Sequence, residues 1–219
     1  MMGNVEFAEE LERVLPSDVP HRNTLIEKAA RHLELIVAAN EYMNLTRILS
    51  PRDAAIKHVY DSVAPWQAFR SARRILDAGT GAGFPGVPLS VVLPEAQFLL
   101  AESIGKKARF VESAVESLQL PNVHVIVDRA ERVADARHAD VITARAVAPL
   151  DRLLQLFGKA LKRGASLILY KGPDVEAELV EARKHAVRAE VISRYELPDD
   201  LGARTLLEIQ SVTARARTA

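Results

Sequence analysis

The sequence predicts an α/β fold: a mostly parallel seven-stranded sheet with an antiparallel edge hairpin at its C-terminal end, preceded by a helical extension. From Arg73 onward, short apolar runs alternate with helical stretches, the pattern of stacked βαβ units. Before that point, apolar residues recur at helical spacing. With 219 residues, 48% of them hydrophobic, the chain is long enough for one domain with a large core.

The first seventy residues look all-helical. Residues 22–39 repeat apolar side chains at helical spacing, and Pro51 suits the first turn of another helix that ends before Pro65. We therefore expect a helical extension packed on the core over residues 1–70, the α/β core over residues 71–212 and a frayed tail over residues 213–219.

The core elements follow from the apolar runs. Strands are predicted at residues 74–78, 97–101, 123–127, 141–143 and 166–170. Helices are predicted at residues 87–93, 106–118, 150–161 and 175–186. Two last apolar stretches, 190–195 and 205–210, have only a loop between them, which predicts the antiparallel edge hairpin.

Composition excludes several classes of protein. The chain has no cysteine, so disulfides, thiolate zinc sites and cysteine nucleophiles are excluded. Its six histidines lack ligand spacing, and we expect no metal. The acidic segment 1–14 lacks the features of a signal peptide, and no apolar run approaches membrane-spanning length. We expect a cytoplasmic protein with no membrane association.

The most informative segment is the glycine loop, residues 77–86, which joins the first core strand to a helix. Glycines at Gly79, Gly81 and Gly83 let the backbone turn sharply and approach a ligand. A merely tight turn does not need three alternating glycines. This context predicts a nucleotide-like ligand.

The chemistry of this loop favours one nucleotide over another. Residues 81–86 also fit the dinucleotide fingerprint, but Pro85 removes an N–H that a pyrophosphate needs, and the Asp77 carboxylate repels a diphosphate. A carboxylate is favourable beside a ligand that carries an amino acid and a sulfonium, such as S-adenosylmethionine. Glu102, after the second strand, suits a ribose diol in either ligand.

Arg145, at the end of the fourth strand, is the candidate contact for a methyl acceptor. The motif that receives an amine in adenine-N6 enzymes is missing, and cytosine-C5 chemistry needs a cysteine. Guanine presents O6 and N7 side by side, an edge that an arginine fork can bind. The alternative is an ordinary ion pair at the start of a helix.

The formal net charge is zero, but residues 47–74 are locally basic, with six cations against Asp53 and Asp61. The cations are candidate phosphate contacts, and the alternative is a solvated helical face. They are Arg47, Arg52, Lys57, Arg70, Arg73 and Arg74.

Taken together, these motifs resemble the RsmG (GidB) family of bacterial 16S rRNA guanine-N7 methyltransferases, over most of the chain. The combination of Asn-Leu-Thr at residues 44–46 with Phe-Pro-Gly at residues 84–86 is quite specific. Other matching positions include Asn40, His58, Asp61, Glu102, Lys106, Phe110, Arg129, Ala130, Glu131, Arg145, Val147, Lys171 and Gly172. The sequence departs from the family pattern at Ala78 and Thr80, which replace commoner loop residues, and at Lys107, where arginine is frequent. The resemblance implies a Rossmann-like class I methyltransferase fold and S-adenosylmethionine as the cofactor.

The resemblance also implies roles for individual residues. Gly79, Phe84 and Arg145 line the cofactor site, and Ala130 with Glu131 contacts the adenine. The residues expected at the mouth of the cleft, facing the methyl donor or the rRNA, are Asn40, Asn44, Thr46, His58 and Asp61, with Lys171 nearby. Each of these roles has a purely structural alternative. Asn44 and Thr46 could cap a loop, and His58 could be a partly buried histidine whose ring is hydrogen-bonded within the fold.

Because guanine N7 carries a free lone pair, no general base is expected. Arg145, Asn44 and His58 are instead assigned positioning roles. The implied partner is 16S rRNA or the 30S subunit, for a protein that acts as a monomer. Three alternatives stay open: a small-molecule methyltransferase, a nicotinamide-dependent oxidoreductase and a non-catalytic adenosylmethionine-binding module.

Overall fold

A computed structural model of the chain describes residues 2–145 and 147–212. Its sheet contains seven strands: β1 (Arg74–Ala78), β2 (Gln97–Ala101), β3 (Val123–Ile126), β4 (Val141–Arg145), β5 (Ser166–Lys171), β6 (Val187–Glu196) and β7 (Ala203–Ser211). Their order is β3-β2-β1-β4-β5-β7-β6. The predicted tail, residues 213–219, lies outside the described residues.

The pairing of the strands confirms the predicted sheet. β1 to β5 are parallel, while β7 runs antiparallel to both β5 and β6. The edge hairpin is longer than the apolar runs that predicted it, because its outer strand alternates exposed, mostly charged residues with half-buried ones. A bulge between Val191 and Ser193 interrupts the register of this hairpin.

Helices cover both faces of the sheet. They are α1 (Met2–Val14), α2 (Arg22–Asn40), α3 (Pro51–Ala54), α4 (Asp61–Val63), α5 (Gly86–Val92), α6 (Gly105–Ser117), α7 (Ala130–Arg137), α8 (Leu150–Lys162) and α9 (Glu176–Ala182). A π-helical stretch, Ala55–Tyr60, joins α3 to α4. Short 3-10 helices lie at Trp66–Phe69 and Pro198–Asp200.

Helix α7 is an element that the sequence did not predict. Its eight residues bury only Val133 and Ala134, so their apolar periodicity is too weak to be recognised. The helix that begins at Pro51 was predicted, and the Ser50 hydroxyl caps it by accepting a hydrogen bond from the Asp53 N–H at 3.3 Å.

The apolar side chains form one core on each face of the sheet. The first contains residues of α1, α2, α5 and α6 together with alternate strand residues such as Ile75 and Phe98. The second contains residues of α7, α8 and α9 against Leu76 and Leu99. Because the N-terminal helices share a core with the sheet, the division at residue 70 stays a prediction. Across the described ranges, no helix is long and apolar enough to span a membrane.

The parallel strands all end at one side of the sheet, called here the carboxyl edge; the opposite side is the amino edge. Open α/β sheets bind ligands at the carboxyl edge, where the strand order reverses. That reversal lies here between β1 and β4. From β1 the chain adds β2 and β3 on one side, and it then returns to place β4 on the other side of β1.

Candidate functional site

The glycine loop begins where β1 ends, at the carboxyl edge. The N–H groups of Gly79 and Thr80 both donate to the carbonyl oxygen of Ala101, at 2.9 and 3.1 Å, which ties the loop to β2. Gly79 and Gly81 have φ angles of 69° and 61°. These positive angles explain why glycine is favoured at both positions.

Asp77 lies buried beneath this loop. One carboxylate oxygen, Oδ2, accepts hydrogen bonds from the Thr80 hydroxyl at 2.6 Å and the Gly86 N–H at 2.9 Å. Among the residues that the structure describes, the other oxygen, Oδ1, has no hydrogen-bond partner. Burial raises the pKa of Asp77 to about 6. The unpartnered oxygen can accept a hydrogen bond from a cationic ligand, which would favour the ionised form.

The backbone at Gly81 faces open space, while the carboxylate of Glu102 fixes the loop. A Cβ at Gly81 would have the Gly79 carbonyl oxygen, 4.0 Å away, as its nearest neighbour. Glu102 accepts hydrogen bonds from the N–H groups of Gly81 at 3.2 Å and Ile104 at 2.8 Å. Val147, after β4, lies over Gly79, 3.4 Å from where a Cβ would stand. The open backbone and two acidic side chains fit a nucleoside that carries a cation.

Two further glycines of the loop are required by packing. A Cβ at Gly83 would lie 2.9 Å from the ring of His32, and one at Gly86 would overlap Leu100. Gly83 therefore packs its α-carbon against helix α2, and any contribution to ligand binding would come from its backbone.

Phe84 is held between two buried histidines. Its ring stacks on His58 with centroids 4.6 Å apart and is tilted against His32 at 5.0 Å. The guanidinium carbon of Arg145 lies 5.7 Å from the centre of the same ring. This aromatic stack connects the glycine loop to the N-terminal helices.

His58 also contacts the Asn-Leu-Thr loop. Its Nε2 lies 3.2 Å from the Thr46 hydroxyl, whose oxygen accepts the Ile48 N–H at 3.1 Å. The Asn40 side chain accepts the N–H groups of Leu45 at 2.9 Å and of Thr46 at 3.1 Å. Asn40 and Thr46 thus shape this loop.

Other sequence-predicted residues lie near the carboxyl edge but outside this hydrogen-bond network. Asn44, in the Asn-Leu-Thr loop, is exposed. Ala130 and Glu131 form the start of α7, after β3, and both are half-buried.

Arg145 forms an ion pair, the alternative that the sequence left open. Its Nη1 donates to the carbonyl oxygen of Lys57 at 3.0 Å and to the Asp61 carboxylate at 3.2 Å. Asp61 is buried. Its carboxylate also accepts a hydrogen bond from the Tyr195 hydroxyl at 2.9 Å and lies 3.4 Å from the Arg204 guanidinium. The guanidinium of Arg145 is therefore fixed in orientation.

A cleft of about 490 Å³ opens beside Arg145 at the ends of β4 and β5, and is named here the β4–β5 cleft. The polar and charged side chains that line it are Lys57, His58, Asp61, Arg145, Tyr170, Lys171 and Arg204. Two of these cations have partners of their own: Lys57 pairs with Asp53 and Lys171 with Glu178, each at 3.0 Å.

The basic run of residues 47–74 does not form a single surface. Arg47 precedes α3, and Arg52 lies in it; the π-helical stretch that follows carries Lys57 to the β4–β5 cleft. Arg52 pairs with Asp199 at 2.7 Å. The other three cations, Arg70, Arg73 and Arg74, lie where β1 begins, at the amino edge. The six candidate phosphate contacts therefore fall into two groups separated by the length of β1, and their role stays a prediction.

Three residues at the site, His32, Tyr195 and Arg204, were not predicted from the sequence. His32 had a signal: it lies on the buried face of α2 at helical spacing with Leu25, Ala29 and Ile36, where a polar side chain is unusual. Tyr195 and Arg204 are in the edge hairpin and belong to no motif, so only the fold brings them to Asp61.

Lowering the pH from 7 to 5 should destabilise the protein, because two histidines are buried in their neutral form. Burial lowers the pKa of His32 to about 4, and burial with the nearby Arg145 lowers that of His58 to about 3. The unfolded chain takes up these protons below about pH 6.5, so stability is lost as the pH falls. The raised pKa of Asp77 acts in the opposite direction below about pH 6. We expect a net loss of about 2–3 kcal/mol at pH 5, measured by urea unfolding.

The variant His32→Leu should show a smaller loss between these pH values, whereas the exposed control His124→Gln should behave like the wild type. Equal unfolding free energies of the wild type at both pH values would contradict this account of the stack.

Comparison with known sequences identifies a consistent group of relatives. The family described as GidB, rRNA small subunit methyltransferase G, matches residues 25–198. The ribosomal RNA small subunit methyltransferase G of Solibacter usitatus is 58% identical over 208 residues, covering 93% of this chain and 99% of that protein. The protein of the same name from Carboxydothermus hydrogenoformans is 36% identical, covering 83% of this chain and 81% of its own.

Comparison with solved structures shows a shared fold. A SAM-dependent O-methyltransferase from Thermotoga maritima has a TM-score of 0.55 at 17% identity and covers 82% of this chain and 71% of its own. The O-methyltransferase TomG from Streptomyces achromogenes, solved in complex with SAM, has a TM-score of 0.55 at 18% identity, covering 84% and 90%. The predicted Rossmann-like class I methyltransferase fold is confirmed.

Proposed function

Because the chain belongs to the GidB family of rRNA small subunit methyltransferases, we propose that it transfers a methyl group from S-adenosylmethionine to N7 of a guanine in 16S rRNA, guanine 527. One observation carries the proposal. Arg145 contacts the glycine loop through the ring of Phe84 and also lines the β4–β5 cleft. A single guanidinium thus joins the proposed donor side to the proposed acceptor side.

The proposed donor side consists of the glycine loop and the residues next to it. When bound, S-adenosylmethionine supplies an electrophilic methyl group. Asp77 would accept a hydrogen bond from the ligand's ammonium through the oxygen that has no partner, and Glu102 would bind the ribose diol. The remaining proposed contacts are Gly79, Gly81, Gly83 and Phe84 in the loop, Ala130 and Glu131 at the adenine, and Arg145.

The proposed acceptor side binds a guanine that has been unstacked from the RNA. Arg145 uses one nitrogen for Asp61 and Lys57, and its planar group has five N–H donors in all, so others can bind O6 and N7 of guanine. No side chain has to accept a proton. His58 suits a positioning role, because its low pKa keeps it neutral and its ring is fixed by Phe84 and Thr46.

The rRNA would approach over the N-terminal helices and the carboxyl edge, toward the β4–β5 cleft. Asn44, exposed in the Asn-Leu-Thr loop, is proposed to help position the target base. The proposed contacts to the RNA backbone or target base are Asn40, Thr46, Arg47, Arg52, Lys57, Asp61 and Lys171. We further propose that the protein acts as a monomer with no obligatory protein partner.

The proposal predicts one methyl group per 30S subunit. Purified protein is incubated with labelled S-adenosylmethionine and 30S subunits that lack the modification, and the modified base is then mapped. The expected result is incorporation at N7 of a single guanine of 16S rRNA. Naked 16S rRNA serves as a parallel substrate that tells whether the particle is needed.

Methylation of another atom or base would overturn the assignment to guanine N7. If the protein binds S-adenosylmethionine but methylates no RNA, the small-molecule methyltransferase becomes the better account.

A further inference from the structure

A second basic surface lies at the amino edge, on the far side of the sheet from the β4–β5 cleft. It is named here the amino-edge arginine patch and consists of Arg70, Arg73, Arg74 and Arg137. Arg70 and Arg73 line a groove of about 520 Å³ with His21. The Arg74 guanidinium donates to the carbonyl oxygen of Arg137 at 2.7 Å, which brings the fourth arginine to the same place. The four residues therefore cluster where β1 begins and α7 ends.

Two carboxylates, Asp140 and Glu95, lie close to this patch. Asp140 accepts the backbone N–H groups of Arg73 at 2.9 Å and Arg74 at 2.8 Å, so it is engaged by the backbone. Glu95 lines the same groove. Within residues 2–145 and 147–212, none of the four guanidinium groups forms an ion pair with a carboxylate.

Most cations around the β4–β5 cleft differ in this respect. Arg52, Lys57, Arg145 and Lys171 are each paired with a carboxylate. A cation that is paired with a carboxylate has to share or break that ion pair in order to bind a phosphate. An unpaired cation binds a phosphate without that cost. The amino-edge arginine patch is thus better suited to hold a polyanion than the surroundings of the proposed target base.

We propose that the amino-edge arginine patch binds the phosphate backbone of the substrate rRNA, away from the methylated base. This inference rests on the proposed function. The strand β1 has five residues, about 16 Å, so RNA that contacts both edges has to run along one flank of the domain. A folded ribosomal RNA is large enough to follow that path. The carboxyl edge then selects the base, and the amino edge supplies a large share of the affinity.

The test compares two double variants that remove equal charge. In R70Q/R73Q the patch loses two exposed arginines. In the control R183Q/R194Q, two exposed arginines that pair with no carboxylate in the described part of the chain are lost, one at the end of α9 and one on the outer strand β6. Binding to 30S subunits is measured over a range of salt concentrations. For R70Q/R73Q we expect the Kd to rise at least tenfold near 0.15 M salt, with a salt dependence shallower by about 1.5 in log–log slope. The control should match the wild type.

Methyl transfer at saturating 30S and the affinity for S-adenosylmethionine should stay at wild-type values in R70Q/R73Q. Unchanged RNA binding would overturn the inference, and so would an equal loss in the control, which would show a nonspecific effect of charge. In either case, methylation by the wild type would leave the proposed function intact. Absence of methylation by the wild type would instead remove the proposed function itself.

Discussion

Replacing Arg145 with methionine is expected to lower kcat for methyl transfer a hundredfold to a thousandfold. The guanidinium lies 5.7 Å from the centre of the Phe84 ring and lines the β4–β5 cleft, so its loss removes the donors proposed to orient guanine. Asp61 keeps Tyr195 and Arg204 as partners, which limits the loss of stability to about 2 kcal/mol. Single-turnover methylation of 30S subunits, together with urea unfolding, measures both effects.

Arg163 provides a matched control for this substitution. Like Arg145, its guanidinium donates to one carbonyl oxygen, that of Ala134, and to one carboxylate, that of Asp135. Both partners lie on the other face of the sheet, so Arg163→Met should leave kcat unchanged. If the two variants lost activity to the same extent, Arg145 would have no special role in the site.

Replacing Phe84 with alanine is expected to cost about 3–5 kcal/mol of stability and to weaken S-adenosylmethionine binding at least tenfold. The loss of stability follows from the cavity left between His32 and His58. The loss of affinity follows because the Phe84 ring packs against His32 and so holds the glycine loop against helix α2. Urea unfolding gives the first quantity, and calorimetric titration of the methyl donor gives the second.

Phe157 is the control for Phe84, because it is equally buried but lies in the core on the opposite face. Phe157→Ala should cost similar stability with no change in cofactor affinity. Should an alanine variant fail to fold, the leucine variants at both positions repeat the comparison at a lower cost. If the two variants bound S-adenosylmethionine with equal affinity, the aromatic stack would have no specific role in cofactor binding.

The fold could be predicted in detail because its buried strands leave a clear pattern. Residues 74–78 and 97–101 were predicted with the bounds that the structure shows, since fully buried parallel strands read as short apolar runs. The edge strand β6 extends beyond its predicted range, and α7 was missed altogether. Both are half-exposed elements in which few apolar residues carry the signal.

Residue spacing alone predicts which side chains lie together only where they are close in the sequence, and the family resemblance supplied the other candidate site residues. Asp77 and its glycines form one contiguous motif, and Glu102 ends the next strand. The partners of Arg145 could not be predicted in this way: Asp61 is 84 positions away, and Tyr195 reaches the same carboxylate from 134 positions away. Their meeting depends on how α4 and the edge hairpin pack against β4, which sequence periodicity does not reveal.

The most direct measurement is a calorimetric titration of S-adenosylmethionine into the wild-type protein, with NAD as the comparison ligand. Saturable binding of one S-adenosylmethionine per chain, with no heat from NAD, is the predicted result, because Asp77 favours a cation and disfavours a diphosphate. Absence of binding by the methyl donor, or tighter binding of NAD, would contradict the role assigned to the glycine loop.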